Sequence, residues 1–353
     1  MLPASRSDLP RLPLTSNFAD ISKGGSVANT FLNEPGWKVR GITRDPGKAS
    51  SKALADKGIE VVGGDVDDMA SLIQAFEGAH AIFAVSDYWS PLFDPASQAK
   101  VKPGQTIAQW AYDLEVIRGK NIVDAAATIV GRPLEKFIWS ALSNAKERSK
   151  RKYTRVYHFD AKAAITQYIY DAQPRLAKVT SIMQVGTYTS NCFSMPHFAP
   201  RKVRDLFPLP SVYANLHQQS DGVYELALPV LGSAKFPFIV VENDTGAFAK
   251  VLTELPAGQR ILAYTKMLSH DEFIGYFGKI NGVPVRMRQN TLEDWEENFP
   301  GLGGVAAESY MYVEEFGADG KDPTFTRPKD LKAKIQLTDI EQWMEEQDWS
   351  SLL

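Results

Sequence analysis

"WKVRGITRDPGKASSKALADKGIEVVGGDVDD" occupies residues 37–68. Its opening, "WKVRGITR", is an alternating, β-branched run that predicts a strand over 37–44. "SSKALADKG" (50–58) has helical spacing and stops at Gly58, a helix terminator. "IEVVGGD" (59–65) then predicts a second strand. The pattern continues downstream. "DDMASLIQAFEGA" (67–79) carries a helical stripe at Met69, Leu72, Ile73 and Phe76. "HAIFAVSD" (80–87) is an apolar run suited to a strand buried on both faces. A long helix over 105–131, a strand over 134–142, a helix over 157–172 and a strand from 178 to 185 follow. Strands alternating with helices at this spacing predict a parallel sheet of βαβ units. Such a sheet binds ligands at the carboxyl ends of its strands, which here carry Arg44, Asp65, Ser86–Asp87 and Ser140–Ser143.

The chain has 353 residues, 44% hydrophobic and 23% charged, with a formal net charge of −3. That balance gives no basic face for nucleic acid. The single cysteine, Cys192, permits neither an internal disulfide nor a cysteine-based zinc site, and no metal site is expected. No apolar run approaches the roughly 18 residues that a membrane span needs. The first residues lack the apolar core of a secretory signal, so the cytoplasm is the expected compartment. After about residue 193 the composition shifts to Pro, Gly and aromatics. "FPFIVVENDTGAFAKVLTEL" (236–255) and "SHDEFIGYFGKIN" (269–281) read as strand–helix pieces among loops, and "TDIEQWMEEQDW" (338–349) as a closing amphipathic helix. The expected plan is a Rossmann-like doubly wound parallel sheet with a smaller, loop-rich α+β substrate lobe. Residues 1–22 read as a divergent, disordered arm, 23–192 as the nucleotide-binding domain and 193–353 as the smaller lobe.

Seven stretches, "GGSVANTFL", "WKVRGITRDP", "VVGGDVDD", "AIFAVSDYW", "EVIRGKNIVDAA", "HFDAKAAITQYI" and "YTSN", run in order from residue 24 to 191. Together they resemble the NmrA-like family of atypical short-chain dehydrogenases. "DLKAKIQLTDIEQWMEEQ" adds a weaker match near the end. The resemblance implies NADP(H) as cofactor. It leaves two activities open, because the family holds both oxidoreductases and ligand sensors. One is an oxidoreductase acting on a small organic molecule, with a place in fungal secondary metabolism. The other is a non-catalytic redox sensor or transcriptional co-regulator, with a protein partner or homodimer and a nuclear location.

The resemblance also assigns residues. Arg44, with Lys48 nearby, is placed to meet the 2′-phosphate of NADP, where an NAD-binding protein has an acidic residue. Asp65 and Val66 bracket the adenine, leaving Asp67 or Asp68 to cap the next helix. The backbone at Ser86, Asp87 and Tyr88 runs beside the cofactor. A carboxylate near a pyrophosphate is unfavourable, so Asp87 is expected to face away or to meet a hydroxyl. Tyr188, Thr189, Ser190 and Asn191 meet the nicotinamide end. Lys162 corresponds to the lysine that holds the nicotinamide ribose. The tyrosine expected one helical turn earlier is replaced by His158. That leaves His158 and the strand-end Ser140 as catalytic candidates, with a structural histidine as the plainer reading of His158.

The glycine-rich phosphate loop is where this chain departs from the pattern. Aligned on "GGSV", the loop falls on "FADISK" (18–23), and only Gly24 and its neighbour Gly25 remain. The preceding "RLPLTSN" (11–17) should be a central apolar strand, yet it holds Pro13 and three polar residues. The expectation is a first strand that is short, distorted or missing, and poor cofactor binding. The stretches "CFSMPHFAP" and "DLFPLPSVYANL" are expected to line an apolar pocket.

Overall fold

The computed structural model describes residues 12–17, 21–194, 199–202 and 222–353. Its main sheet has seven strands, all parallel: β1 (Leu12–Asn17), β2 (Trp37–Thr43), β3 (Glu60–Gly63), β4 (Ala81–Ala84), β5 (Lys136–Ala141), β6 (Thr180–Val185) and an edge strand, Arg260–Ala263. Their spatial order is β3-β2-β1-β4-β5-β6 and then the edge strand. The direction of winding reverses between β1 and β4, which makes that point the ligand crevice of a doubly wound sheet. Strands β4 and β6 are buried along their whole length, which explains why β4 reads as a continuous apolar run. The helices of this layer are α1 (Ile21–Leu32), α2 (Ala49–Asp56), α3 (Met69–Phe76), α4 (Ile107–Ala127), α5 (Ala145–Arg148) and α6 (Tyr157–Ala172). Periodicity places α6 to the residue. The Thr106–Gln109 capping box starts α4, and the side chain of Asp68 accepts from the Ala70 amide to start α3.

The expectation for the first strand is corrected. The stretch 11–17 is not a missing strand. Strand β1 pairs with β2 from Leu12–Trp37 to Asn17–Ile42 and with β4 from Leu14–Ala81 to Ser16–Phe83. Pro13 precedes the first residue paired with β4, so its missing donor falls outside that ladder. The polar residues Thr15, Ser16 and Asn17 stand at the carboxyl end, next to the crevice. Helix α1 then starts at Ile21, inside the stretch read as an arm. Of the expected phosphate loop, residues 18–20 lie outside the described residues, as do residues 195–198 of "CFSMPHFAP" (192–200) and all of "DLFPLPSVYANL" (205–216).

Residues 193–353, read as the smaller lobe, also contribute to the main layer. Besides the edge strand, they supply the helix Val241–Glu254, which packs along α1. Gly246 makes this approach possible. A Cβ there would lie 2.1 Å from Thr30 Oγ1 and 2.5 Å from the Ser26 carbonyl oxygen. The Gly246 amide donates to Ser26 Oγ at 3.0 Å, and Lys250 pairs with Glu34 at the far end. The remaining strands form two small sheets. β7 (Thr187–Tyr188), β8 (Arg201–Lys202), β9 (Tyr224–Leu228) and β10 (Lys235–Ile239) precede the edge strand, now β11. After it come β12 (Lys266–Ser269) and β13 (Val285–Gln289). Their orders are β12-β10-β7 and β13-β9-β8. One large apolar cluster runs from α3, α4 and α6 into β9, β10 and the C-terminal Trp343 and Trp349, so both halves share a core.

Gly246→Ala should therefore force α1 away from its partner helix, at about 1–3 kcal/mol for overpacking. Chemical denaturation of the variant against the parent measures this. An unchanged midpoint would show that the helix contact is slack.

Candidate functional site

A cleft of about 750 Å³ opens at the carboxyl edge of the main sheet. Its walls include Lys23 of α1, the segment Ser86–Ser90 after β4, His158 and Lys162 of α6, and Tyr188, Ser190 and Asn191 after β6. The volume falls in the ordinary range for a small-molecule or cofactor site. Helices α4 and α6 set its floor. Gly119 lets them pack closely, since a Cβ there would sit 2.2 Å from Ile165 Cδ1. Glu115 lies one turn before Gly119, and Lys162 one turn before Ile165, so the same contact brings their side chains together.

Both residues are buried and form an ion pair. Lys162 Nζ also donates to the Ser86 carbonyl at 2.7 Å and to Ser86 Oγ at 2.9 Å. The Ser86 hydroxyl donates to Glu115 Oε1 at 2.6 Å. An ammonium has three N–H donors, and here all three have acceptors within the protein. Glu115 Oε2 is buried without a hydrogen-bond partner. Sequence reading missed Glu115. Its signal was a carboxylate on the buried stripe Ala108, Ala111, Glu115, Gly119 and Ile122 of α4.

His158 stands one turn before Lys162. Its ring packs beside Trp89 and Phe159 at 4.9 Å and Tyr88 at 5.7 Å. Burial, helped by the Lys162 charge, pushes its pKa down to about 3, so the imidazole is neutral near neutral pH. Its Nδ1 is buried without a partner. Trp89 is packing for this histidine and for Tyr88. The Tyr88 hydroxyl donates to the Ala108 carbonyl at 3.2 Å, and burial raises its pKa.

The other sequence candidates divide by position. Asp87 Oδ1 accepts the Trp89 and Ser90 amides at 3.0 and 3.1 Å, so its carboxylate serves its own loop rather than a hydroxyl. Ser190 Oγ donates to Glu242 Oε1 at 2.6 Å. Thr189 is fully buried and its amide is tied to the Ile239 carbonyl at 2.9 Å, off the cleft lining. Ser140 is also buried and off the lining, with an unpartnered hydroxyl, while Ser143 bonds Tyr312 and the Ala318 carbonyl. Neither serine faces the cleft, and this removes the geometric basis for Ser140 as a catalyst. Cys192 is buried, and its pKa is pushed up to about 12, which leaves it inert.

Arg44, Lys48, Asp65 and Val66 lie farther along the same edge, after β2 and β3. Arg44 and Lys48 are exposed, and Arg44 has no ion-pair partner among the described residues. The nearby Asp67 is bound by Arg118 at 2.6 and 2.7 Å, and this hydrogen-bonded guanidinium holds its carboxyl below the ordinary range. Asp65 Oδ1 accepts only the Asp67 amide among the described contacts, at 3.0 Å. The Val66 carbonyl accepts from Asn121 at 2.8 Å. Gly24 falls in the first turn of α1. Among the described residues no cluster fits a metal ion, and no helix is long and apolar enough to cross a membrane.

The family model described as the NmrA-like family matches residues 22–344. The chain belongs to the NmrA-like family. It is 26% identical over 295 residues to the NmrA-like family domain-containing oxidoreductase hkm9 of Aspergillus hancockii, covering 81% of this chain and 78% of that protein. Its fold matches the negative transcriptional regulator NmrA in complex with NADP, with a TM-score of 0.63, 16% identity and 95% of both chains covered. It matches the Citrobacter sp. triphenylmethane reductase complexed with NADP(H) equally well, at 0.63 and 17% identity, covering 97% of this chain and all of the other (100%). NmrA-like membership and the Rossmann-like fold thus agree with the reading of the seven stretches.

Two outcomes check the site. Lys162→Met leaves Glu115 buried and uncompensated, which should cost about 3–5 kcal/mol, while adding Glu115→Met should recover much of the loss. Urea titrations of the single and double variants measure it, and additive losses would show that the pair is not coupled. The second outcome concerns pH. His158 and His270 both have pKa values lowered to about 3 from 6.5. The unfolded chain protonates them as pH falls through 6.5 and the folded chain does not, so folding stability is lost between pH 6.5 and 3. His158→Gln should soften that loss in melting curves across the window. An identical pH dependence would place a charged imidazole in the fold.

Proposed function

We propose that this NmrA-like protein is an NADP(H)-dependent oxidoreductase acting on a small organic molecule, with a place in fungal secondary metabolism. The observation that carries the reading is the cleft at the sheet's switch point, with Lys162 on its floor and the exposed, unpaired Arg44 along the same edge. The residues present suit such a cofactor. Arg118 already neutralises Asp67, so the field around Arg44 favours a 2′-phosphate. Gly24 and Lys23 stand in the first turn of α1, where backbone donors and the helix dipole favour a pyrophosphate. Asp65 and Val66 flank the adenine position, and Ser86, Asp87 and Tyr88 supply the backbone wall. Lys48 adds positive charge near Arg44, and Tyr188, Ser190 and Asn191 border the nicotinamide position, with Thr189 fixing that loop from behind. When bound, the cofactor supplies a hydride. The protein's part is to orient it and to exclude water, with Lys162 held in place by Glu115 and Ser86. β1 belongs to the cofactor side in this reading, and the small sheets shape the substrate side.

A sensor role is the second reading. It is favoured by the neutral His158, which stands where a proton-donating tyrosine is expected, and by the full use of the Lys162 donors.

Titration with NADPH and NADH tests the cofactor. Arg44→Asp should weaken NADPH by about tenfold to a hundredfold, the scale of a lost charge-assisted hydrogen bond, and leave NADH nearly unchanged. Equal losses for both would reduce Arg44 to a surface residue. Consumption of NADPH with an organic acceptor separates enzyme from sensor, since a sensor binds the cofactor and turns nothing over.

A further inference from the structure

The carboxylate of Glu242 lies in the first turn of the helix Val241–Glu254 and lines the cleft. Its Oε1 accepts the Ser190 hydroxyl at 2.6 Å, while Oε2 is buried with no hydrogen-bond partner. The helix dipole favours a negative charge there but gives Oε2 no donor. The carboxylate therefore carries a negative charge at the cleft that no donor to Oε2 offsets. Among the described residues neither cleft lysine forms an ion pair with Glu242. Lys162 is cancelled by Glu115, and the Lys23 ammonium lies over the Tyr188 ring at 5.3 Å. The aromatic side chains Trp89, Phe193, Phe236 and Tyr310 line the same cleft. A cleft that combines a carboxylate with aromatic lining is an environment that receives an organic cation.

The proton supply points the same way. The position one turn before Lys162 holds a neutral imidazole in place of a proton-donating tyrosine, and the three Lys162 donors are committed to Ser86 and Glu115. A carbonyl substrate needs a proton for the alkoxide that hydride addition creates. A protonated imine brings its own.

We infer that the substrate is a cationic C=N compound, a protonated imine or iminium ion, whose charge is held by Glu242 and the aromatic wall. This inference rests on the oxidoreductase reading above. In the reaction, a C–H bond of the dihydronicotinamide breaks and its electron pair forms a C–H bond at the electrophilic carbon. The C=N π pair moves onto nitrogen. The products are a neutral amine and the oxidised cofactor, and no proton is drawn from the protein.

The test uses the full chain with NADPH, the N-methyl dihydroisoquinolinium ion as a permanent cation, and tetralone as its neutral counterpart of similar shape. Calorimetry with the N,N-dimethyl tetrahydroisoquinolinium ion, which cannot be reduced, gives binding apart from turnover. The cation should bind at least about tenfold more tightly than tetralone, the scale of one charged contact. Glu242→Gln keeps the shape and the acceptor for Ser190. It should weaken cation binding and raise the iminium KM by about tenfold, with kcat, NADPH affinity and melting temperature little changed. Tetralone bound or reduced as well as the cation, or a Glu242→Gln variant that loses both alike, would overturn the assignment. If NADPH binds and the cation does not, this inference alone fails. If NADPH does not bind, the oxidoreductase reading fails with it.

Discussion

The buried pair between Lys162 and Glu115 is the constraint around which the cleft is arranged. An unpaired charge in that position would be among the costliest features a fold can carry, so α4, α6 and the end of β4 must meet there. Gly119 permits the helix approach, and Ser86 supplies two acceptors and one donor to the pair. This fixes the height of the cleft floor and the direction of the backbone that leaves β4. Asp87 then folds that backbone over itself through the Trp89 and Ser90 amides, and Trp89 is delivered onto His158. His158 is neutral as a consequence, because its ring is packed among aromatics beside a lysine's charge.

The two halves of the chain are one structure in the region that matters. β11 completes the sheet beside β6, and the helix after β10 lies on α1 through Gly246. The first turn of that helix carries Glu242 to the cleft, where it meets Ser190. The same helix thus both packs on α1 and places Glu242 at the cleft.

Sequence periodicity placed the main-sheet strands between residues 37 and 185 and matched α6 residue for residue, because burial imposes a pattern that the chain itself displays. It failed at Leu12–Asn17. There the judgement rested on side-chain composition, whereas a parallel ladder is made by backbone groups that any residue but proline provides. The same limit applied to Ser140, whose position at a strand end was legible but whose direction, away from the cleft, was not.

The ordered strands and the residues at their carboxyl ends, Arg44, Asp65 and Ser86 among them, were written in one dimension, since regular elements and their ends follow from local pattern. The pairing of Lys162 with Glu115, the approach of Glu242 to Ser190 and the neutral state of His158 were decided only in three dimensions. They depend on residues 47, 52 and 69–70 positions apart coming into contact, as Glu115 does with Lys162, Ser190 with Glu242, and Trp89 and Tyr88 with His158. Such contacts leave no period in the chain, because close packing and desolvation act through space and not along the sequence.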